Sequence, residues 1–139
     1  MNDKNIIDKL NAQAPTFLKM LGGRISALDH AAGSCTFEYN ISTDFCHSVN
    51  VVQGGFVTAM LDAAMSHALI ACEENVVAVS SLEIKTSYLE ATLAGQLRAV
   101  GKVIKAGHKT AFLEGQLYNA DGVLTATASS VAKVGRRLS

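Results

Sequence analysis

QGGFVTAMLDAAMSHALIAC, residues 53–72, is the stretch around which the rest of the chain has to be arranged. From Phe56 onward it is apolar on nearly every face, and a helix that is hydrophobic all round must be buried. It is long enough to ask whether it spans a membrane, but Thr58, Asp62, Ser66 and His67 interrupt it, and an isolated acid at mid-depth is costly in lipid. The stretch is therefore expected to be a core helix that starts at Gly54-Gly55.

Before it, residues 24–29 and 34–41 read as strands. In the second, Cys35, Phe37, Tyr39 and Ile41 alternate with Thr36, Glu38 and Asn40, and Ala31-Ala32-Gly33 supplies the turn. Residues 41–52 show no clear period. After the helix, residues 76–89, 96–105, 110–118 and 123–134 have strand composition, separated by Gly95, Ala106-Gly107 and Asn119-Ala120-Asp121-Gly122. Turns this short require antiparallel neighbours. In the last strand Ala126, Ala128, Ser130 and Ala132 give a face of small side chains that a helix can approach closely. Upstream, Ile6, Ile7, Leu10, Phe17, Leu18 and Leu21 fit two short helical pieces, broken at Pro15 and stopped by Gly22-Gly23. The order predicts an α+β fold in which one antiparallel sheet curls around a single buried helix. We expect one domain over residues 1–139, with a helical segment at 3–21 and a core at about 22–134.

Nearly half of the residues (49%) are hydrophobic and only 17% are charged, more apolar than a soluble monomer needs, so some apolar surface is expected to meet another subunit. Twelve basic residues balance twelve acidic ones, which leaves no overall field to draw nucleic acid or an anionic membrane. Cys35, Cys46 and Cys72 form neither an even disulfide set nor a C-x-x-C pair, and no cluster of His, Cys, Asp and Glu has metal-ligand spacing. The N-terminal residues lack the basic head and apolar run of a signal peptide, which points to the cytoplasm.

The run from His47 through Gln53-Gly54-Gly55 to Asp62 resembles the hotdog-fold acyl-CoA thioesterases of the phenylacetate-pathway type. Ser81-Leu82-Glu83-Ile84-Lys85-Thr86-Ser87-Tyr88-Leu89 is similar to that family's strand after the helix, and the turns at Gly107-His108-Lys109 and Asp121-Gly122 match as well. The resemblance implies a hotdog fold and hydrolysis of a thioester to a free acid and CoA. It also implies that the Gly54 amide polarises the thioester carbonyl, that Asp62 activates water or attacks, and that Ser81 holds the water. Gln53, where the family commonly has His, and Gly55 would lie beside the substrate, as would His47, which stands where Asn or Gln is usual. His30 and His108 sit in turns and are expected first to be solvated, while His108, Lys109 and Arg98 could also meet CoA phosphates at a subunit edge. No cofactor or metal is implied, since CoA enters as part of the substrate.

Two arguments stand apart from the resemblance. The unpaired N–H groups and partial positive charge of a helix N-terminus suit an oxygen that becomes anionic in acyl transfer. Eight residues of helix rise about 12 Å, too far for one thioester carbon to touch both Gly54 and Asp62 of the same chain. Gly54 of one subunit is therefore expected to face Asp62 of a two-fold partner, in a homodimer or a dimer of dimers.

Rival readings are a non-catalytic hotdog protein that binds acyl-CoA or an acyl carrier, and an enoyl-CoA hydratase built on the D-x₄-H spacing of Asp62 and His67. The second is weakened by geometry, because five residues of helix turn those side chains about 140° apart. A thiol nucleophile at Cys46 beside His47 lacks a third, orienting group.

Overall fold

The computed structural model describes residues 2–138. Helices α1 (Asp3–Ala12) and α2 (Thr16–Met20) lead into strands β1 (Gly23–Asp29) and β2 (Ser34–Ile41). A single 3-10 turn, Thr43–Phe45, follows in the segment that showed no period, then helix α3 (Gly54–Cys72) and strands β3 (Val76–Tyr88), β4 (Gly95–Ala106), β5 (Thr110–Asn119) and β6 (Leu124–Arg136). Element types and order match the expected α+β reading, with boundaries shifted by a residue or two at the frayed ends.

The six strands form one sheet in the order β1-β2-β4-β5-β6-β3, with every neighbouring pair antiparallel. Helix α3 carries the chain from β2 across to the far edge, where β3 lies, and β4 then returns to pair beside β2. The sheet wraps the helix, and Val57, Met60, Leu61, Ala64, Met65, Ala68 and Leu69 are buried against it. Tyr39 joins the layers with a polar tie, its hydroxyl donating to the Met60 carbonyl at 3.0 Å.

One expectation about the helix is corrected. It is not buried all round: Gly55, Ala59, Asp62 and Ser66, which follow one another at helical spacing, form a face that is exposed or only half-buried. The sheet covers the helix without closing over that face. The small residues of β6 face inward and are buried, as expected, and a further close contact lies at Gly101 of β4, where any Cβ would collide with the Ala64 carbonyl.

The two sheet edges differ. Along β1, Asn11 of α1 serves as a stand-in strand, its Nδ2 donating to the Ile25 carbonyl at 3.0 Å and its Oδ1 accepting from the Ile25 amide at 2.8 Å. Edge strand β3 is thirteen residues long, pairs only with β6, and leaves Val77, Leu82 and Tyr88 more than half exposed (53%, 63% and 55%). Long bare edges of this kind template pairing with another chain. At the opposite end of the sheet from Gly54, Arg136 gathers two loops by donating to the carbonyls of His108, Glu74 and Gly107 at 3.0, 2.9 and 2.8 Å.

Candidate active site

Helix α3 begins where residues 45–53 fold back on themselves: the Gln53 amide donates to the Phe45 carbonyl, Cys46 bridges Val52, and the rings of Phe45 and Phe56 meet edge to face with centroids 4.9 Å apart. Gln53 is the N-cap, and its Oε1 accepts from the Gly55 amide at 2.7 Å. The Phe56 and Val57 amides both donate to the Gln53 carbonyl. One orphan amide of the first turn is left over: among the described residues, the Gly54 N–H has no acceptor. The resemblance singled out the same amide.

A cavity of about 440 Å³ opens beside it, lined by Gly54, Val57, His47, Val51, Tyr88 and Leu89 among others. One wall comes from the segment between β3 and β4, held across the end of the sheet by the Thr92 carbonyl, which accepts from the Val52 amide at 2.8 Å, and by the Asn50 carbonyl, which accepts from Ala94. His47 and Gly54 thus meet at one cavity although seven positions separate them. Gln53 caps the helix instead of lining the cavity, and Gly55 is exposed on the open face of α3.

Asp62 is half-buried on that open face. Its Oδ1 accepts from Ser81 Oγ at 2.8 Å and, more weakly, from Ser66 Oγ at 3.4 Å. The structure therefore unites Asp62 with Ser81, across from the helix on β3, and puts neither of them in the wall of the Gly54 cavity. His108 and Lys109 are exposed on the β4–β5 turn beside Arg136, which pairs with Val76, whereas Tyr88 at the other end of β3 touches Gly54. Twelve residues of strand put roughly 40 Å between those two ends. Within one chain His108 and Lys109 do not reach the Gly54 cavity.

His67 is engaged elsewhere. Its Nδ1–H donates to the Ala63 carbonyl at 2.8 Å and its ring meets Phe37 edge to face. Burial lowers its pKa, against smaller upward pulls from the Ala63 carbonyl and Asp62. Half-buried and held by the Ala63 carbonyl and the Phe37 ring, it is engaged in packing, which removes the partner that a hydratase reading needs. His30, expected to be solvated, has its Nδ1 2.7 Å from Asp3 Oδ1 and ties α1 to the β1–β2 turn.

Sequence reasoning missed one set of site residues. Helix α3 is stitched to β3 at every fourth residue: Gly54 by Tyr88, Thr58 by Thr86 and Tyr88, and Asp62 by Ser81. Tyr88 Oη donates to the Gly54 carbonyl at 2.7 Å, and a Cβ on Gly54 would lie 3.0 Å from that hydroxyl. The spacing of Gly54, Thr58 and Asp62, polar or bare positions four apart in an otherwise apolar helix, was the available signal.

Comparison with known proteins identifies the family and the fold. The profile of the thioesterase superfamily matches residues 49–126. A phenylacetic acid degradation-related protein from Ralstonia eutropha JMP134 is 33% identical, with 93% of this chain and 98% of that chain covered and a TM-score of 0.83. Thioesterase HI1161 from Haemophilus influenzae (19% identity, 96% and 92% coverage, TM-score 0.84) and PaaI from the phenylacetic acid degradation operon of E. coli (17%, 96% and 94%, 0.81) share the fold. No curated protein matches the chain. With the profile spanning more than half of the sequence across the helix head, Asp62 and Ser81, the chain belongs to the thioesterase superfamily and has its hotdog fold.

Proposed function

We propose that this chain hydrolyses acyl-CoA thioesters at a site shared between two subunits of a homodimer. The observation that carries the reading is the orphan Gly54 amide, aimed from a helix N-terminus beside a cavity, with the Asp62–Ser81 pair two helical turns away on an uncovered face.

In this reading a two-fold axis sets two α3 helices side by side in opposite directions, so that Gly54 of each faces Asp62 of the other. The bare β3 edge and the uncovered helix face support such a pairing. The thioester carbonyl accepts from the Gly54 N–H. Asp62 of the partner takes a proton from water, and the hydroxide adds to the carbonyl carbon. The tetrahedral oxyanion is held by the amide and the positive end of the helix. Its collapse breaks the C–S bond, releases the free acid, and returns the proton from Asp62 to the CoA thiolate. Ser81 fixes the carboxylate, which leaves Oδ2 for the water. His47, at the cavity wall, donates to the substrate, while Gly55 lies where the two helices meet. The opposite-end placement of His108 and Lys109 also suits the two-fold, because an antiparallel β3 pair brings that end of one subunit toward the Gly54 cavity of the other, where CoA phosphates need cations. Three free cysteines favour a reducing compartment, and we assign the protein to the cytoplasm.

The test is thiol release from a panel of acyl-CoAs by the wild type and Asp62→Ala at matched folding. Release lost in the variant supports the hydrolase. Binding of acyl-CoA without release by either protein would make the chain an acyl-CoA binder.

A further inference from the structure

The hydroxyls of Thr86, Thr58 and Tyr88 run in a chain to the Gly54 carbonyl, at steps of 2.8, 3.0 and 2.7 Å. Their proton order follows from the last step. A carbonyl only accepts, so Tyr88 spends its single proton on Gly54, and the Tyr88 oxygen must then accept from Thr58. Thr58 has spent its own proton in turn, so Thr86 donates to Thr58. Every hydroxyl dipole in the chain points toward the head of the helix, and each bond strengthens the next.

The chain ends on the Gly54–Gly55 peptide, whose other side is held as well. The Gly55 N–H belongs to that same planar unit and donates to Gln53 Oε1 at 2.7 Å. One peptide plane is thus gripped at its oxygen by Tyr88 and at its hydrogen by Gln53. The Gly54 N–H lies in the preceding peptide plane, whose oxygen on Gln53 accepts from the Phe56 and Val57 amides, and the two planes meet at a glycine, the residue with the least steric restraint of its own. Without the two grips the first turn would fray, as helix ends do.

We infer that Thr86, Thr58, Tyr88 and Gln53 are positioning residues that aim the Gly54 amide, a role that rests on the proposed use of that amide in thioester hydrolysis. None of the four needs to exchange a proton with substrate. Their contribution is to fix the donor before the oxyanion forms, which stabilises the transition state more than the bound thioester.

The expected result for Tyr88→Phe is a kcat lower by about five- to tenfold, the value of one hydrogen bond, with KM nearly unchanged. Thr58→Val lowers kcat in the same sense, and Thr58→Ser, which keeps the hydroxyl, restores it. Because the two residues act through one chain, the double variant Tyr88→Phe/Thr58→Val is no slower than Tyr88→Phe alone, whereas independent packing defects would multiply. A readout independent of turnover is hydrogen exchange at the Gly55 amide, which Tyr88→Phe should accelerate while amides at the middle of α3 keep their rates. Unchanged exchange at Gly55, or a double variant equal to the product of the singles, overturns the relay. Binding of acyl-CoA without release by the wild type overturns the hydrolase reading instead, and the exchange measurement still decides the relay.

Discussion

Ser81 Oγ donates to Asp62 Oδ1 at 2.8 Å and so joins the bare edge strand to the sole carboxylate of the core helix. The bond fixes one oxygen of the acid, and among the described residues the other has no hydrogen-bond partner. Asp62→Ala is expected to lower kcat by about 10²- to 10⁴-fold, the usual worth of a positioned general base. Ser81→Ala should cost about tenfold through loss of one hydrogen bond to a charged group. Steady-state thiol release measures both, and equal losses would mean that Ser81 does more than orient the acid.

Gly54 offers a cleaner way to remove a backbone donor than most helices do. It occupies the first helical position, where proline is tolerated, and Gln53 before it is already extended (φ −64°, ψ 140°). Gly54→Pro deletes the N–H, and Gly54→Ala keeps it while imposing the same close contact with Tyr88. The proline variant is expected to lose about 10²- to 10³-fold in kcat, and the alanine variant far less. Similar losses in both would assign the effect to crowding.

Gly101→Ala tests the packing that brings the helix to the sheet. The added methyl would strike the Ala64 carbonyl, which a rigid core cannot move aside, and about 3 kcal/mol of stability should be lost. Urea unfolding should show this as a lower midpoint with an unchanged slope.

Stability should hold from about pH 6.5 to 9 and fall on both sides. Burial, aided by Cys72, pushes the Cys35 thiol from 9.0 up to about 12, and burial, with Cys35 and Asp62, pushes the Tyr39 phenol upward too. Above pH 9 the unfolded chain sheds a proton that the folded chain keeps, so alkali favours unfolding. His67 goes the other way: its pKa is lowered, so below pH 6.5 the unfolded chain takes up a proton that the native state refuses, until the folded pKa is passed. Each group alone contributes a limb of at most about 1.4 kcal/mol per pH unit. Cys35→Ala should reduce the alkaline limb to the part that Cys72 and Tyr39 contribute, and His67→Gln should flatten the acidic limb, both read from urea midpoints across pH.

Much of the fold was legible because its strands are long and its turns carry glycine and asparagine. The alternation of Cys35, Phe37, Tyr39 and Ile41 fixed β2, all four of these residues being buried, and the all-apolar run fixed α3. What periodicity could not convey is that a curled sheet leaves one side of its helix bare. Hydropathy scores Ala59 alike whether it meets a strand, a second subunit or water. At the site, Gly54 and Asp62 were readable because a helix head and a lone acid stand out locally. Tyr88 and Thr86 were not, since their partners lie about thirty residues away on another element, and tyrosine and threonine are ordinary strand residues. Gln53 was read as a substrate ligand, whereas in the structure its side chain is spent on capping the helix.

The strand order also governs how this protein can be made. The third strand lies at the far edge, and its one hydrogen-bonded neighbour, Leu124–Arg136, is the last strand to be synthesised. A nascent chain emerging from the ribosome therefore carries Val76–Tyr88 unpaired until more than thirty further residues have followed. The exposed Val77 and Leu82 are then available to other chains, and the Arg136 clasp on residues 74, 107 and 108 cannot form until translation reaches residue 136. The far edge of the sheet therefore cannot close before Leu124–Arg136 has been made, which leaves Val76–Tyr88 exposed to aggregation during synthesis.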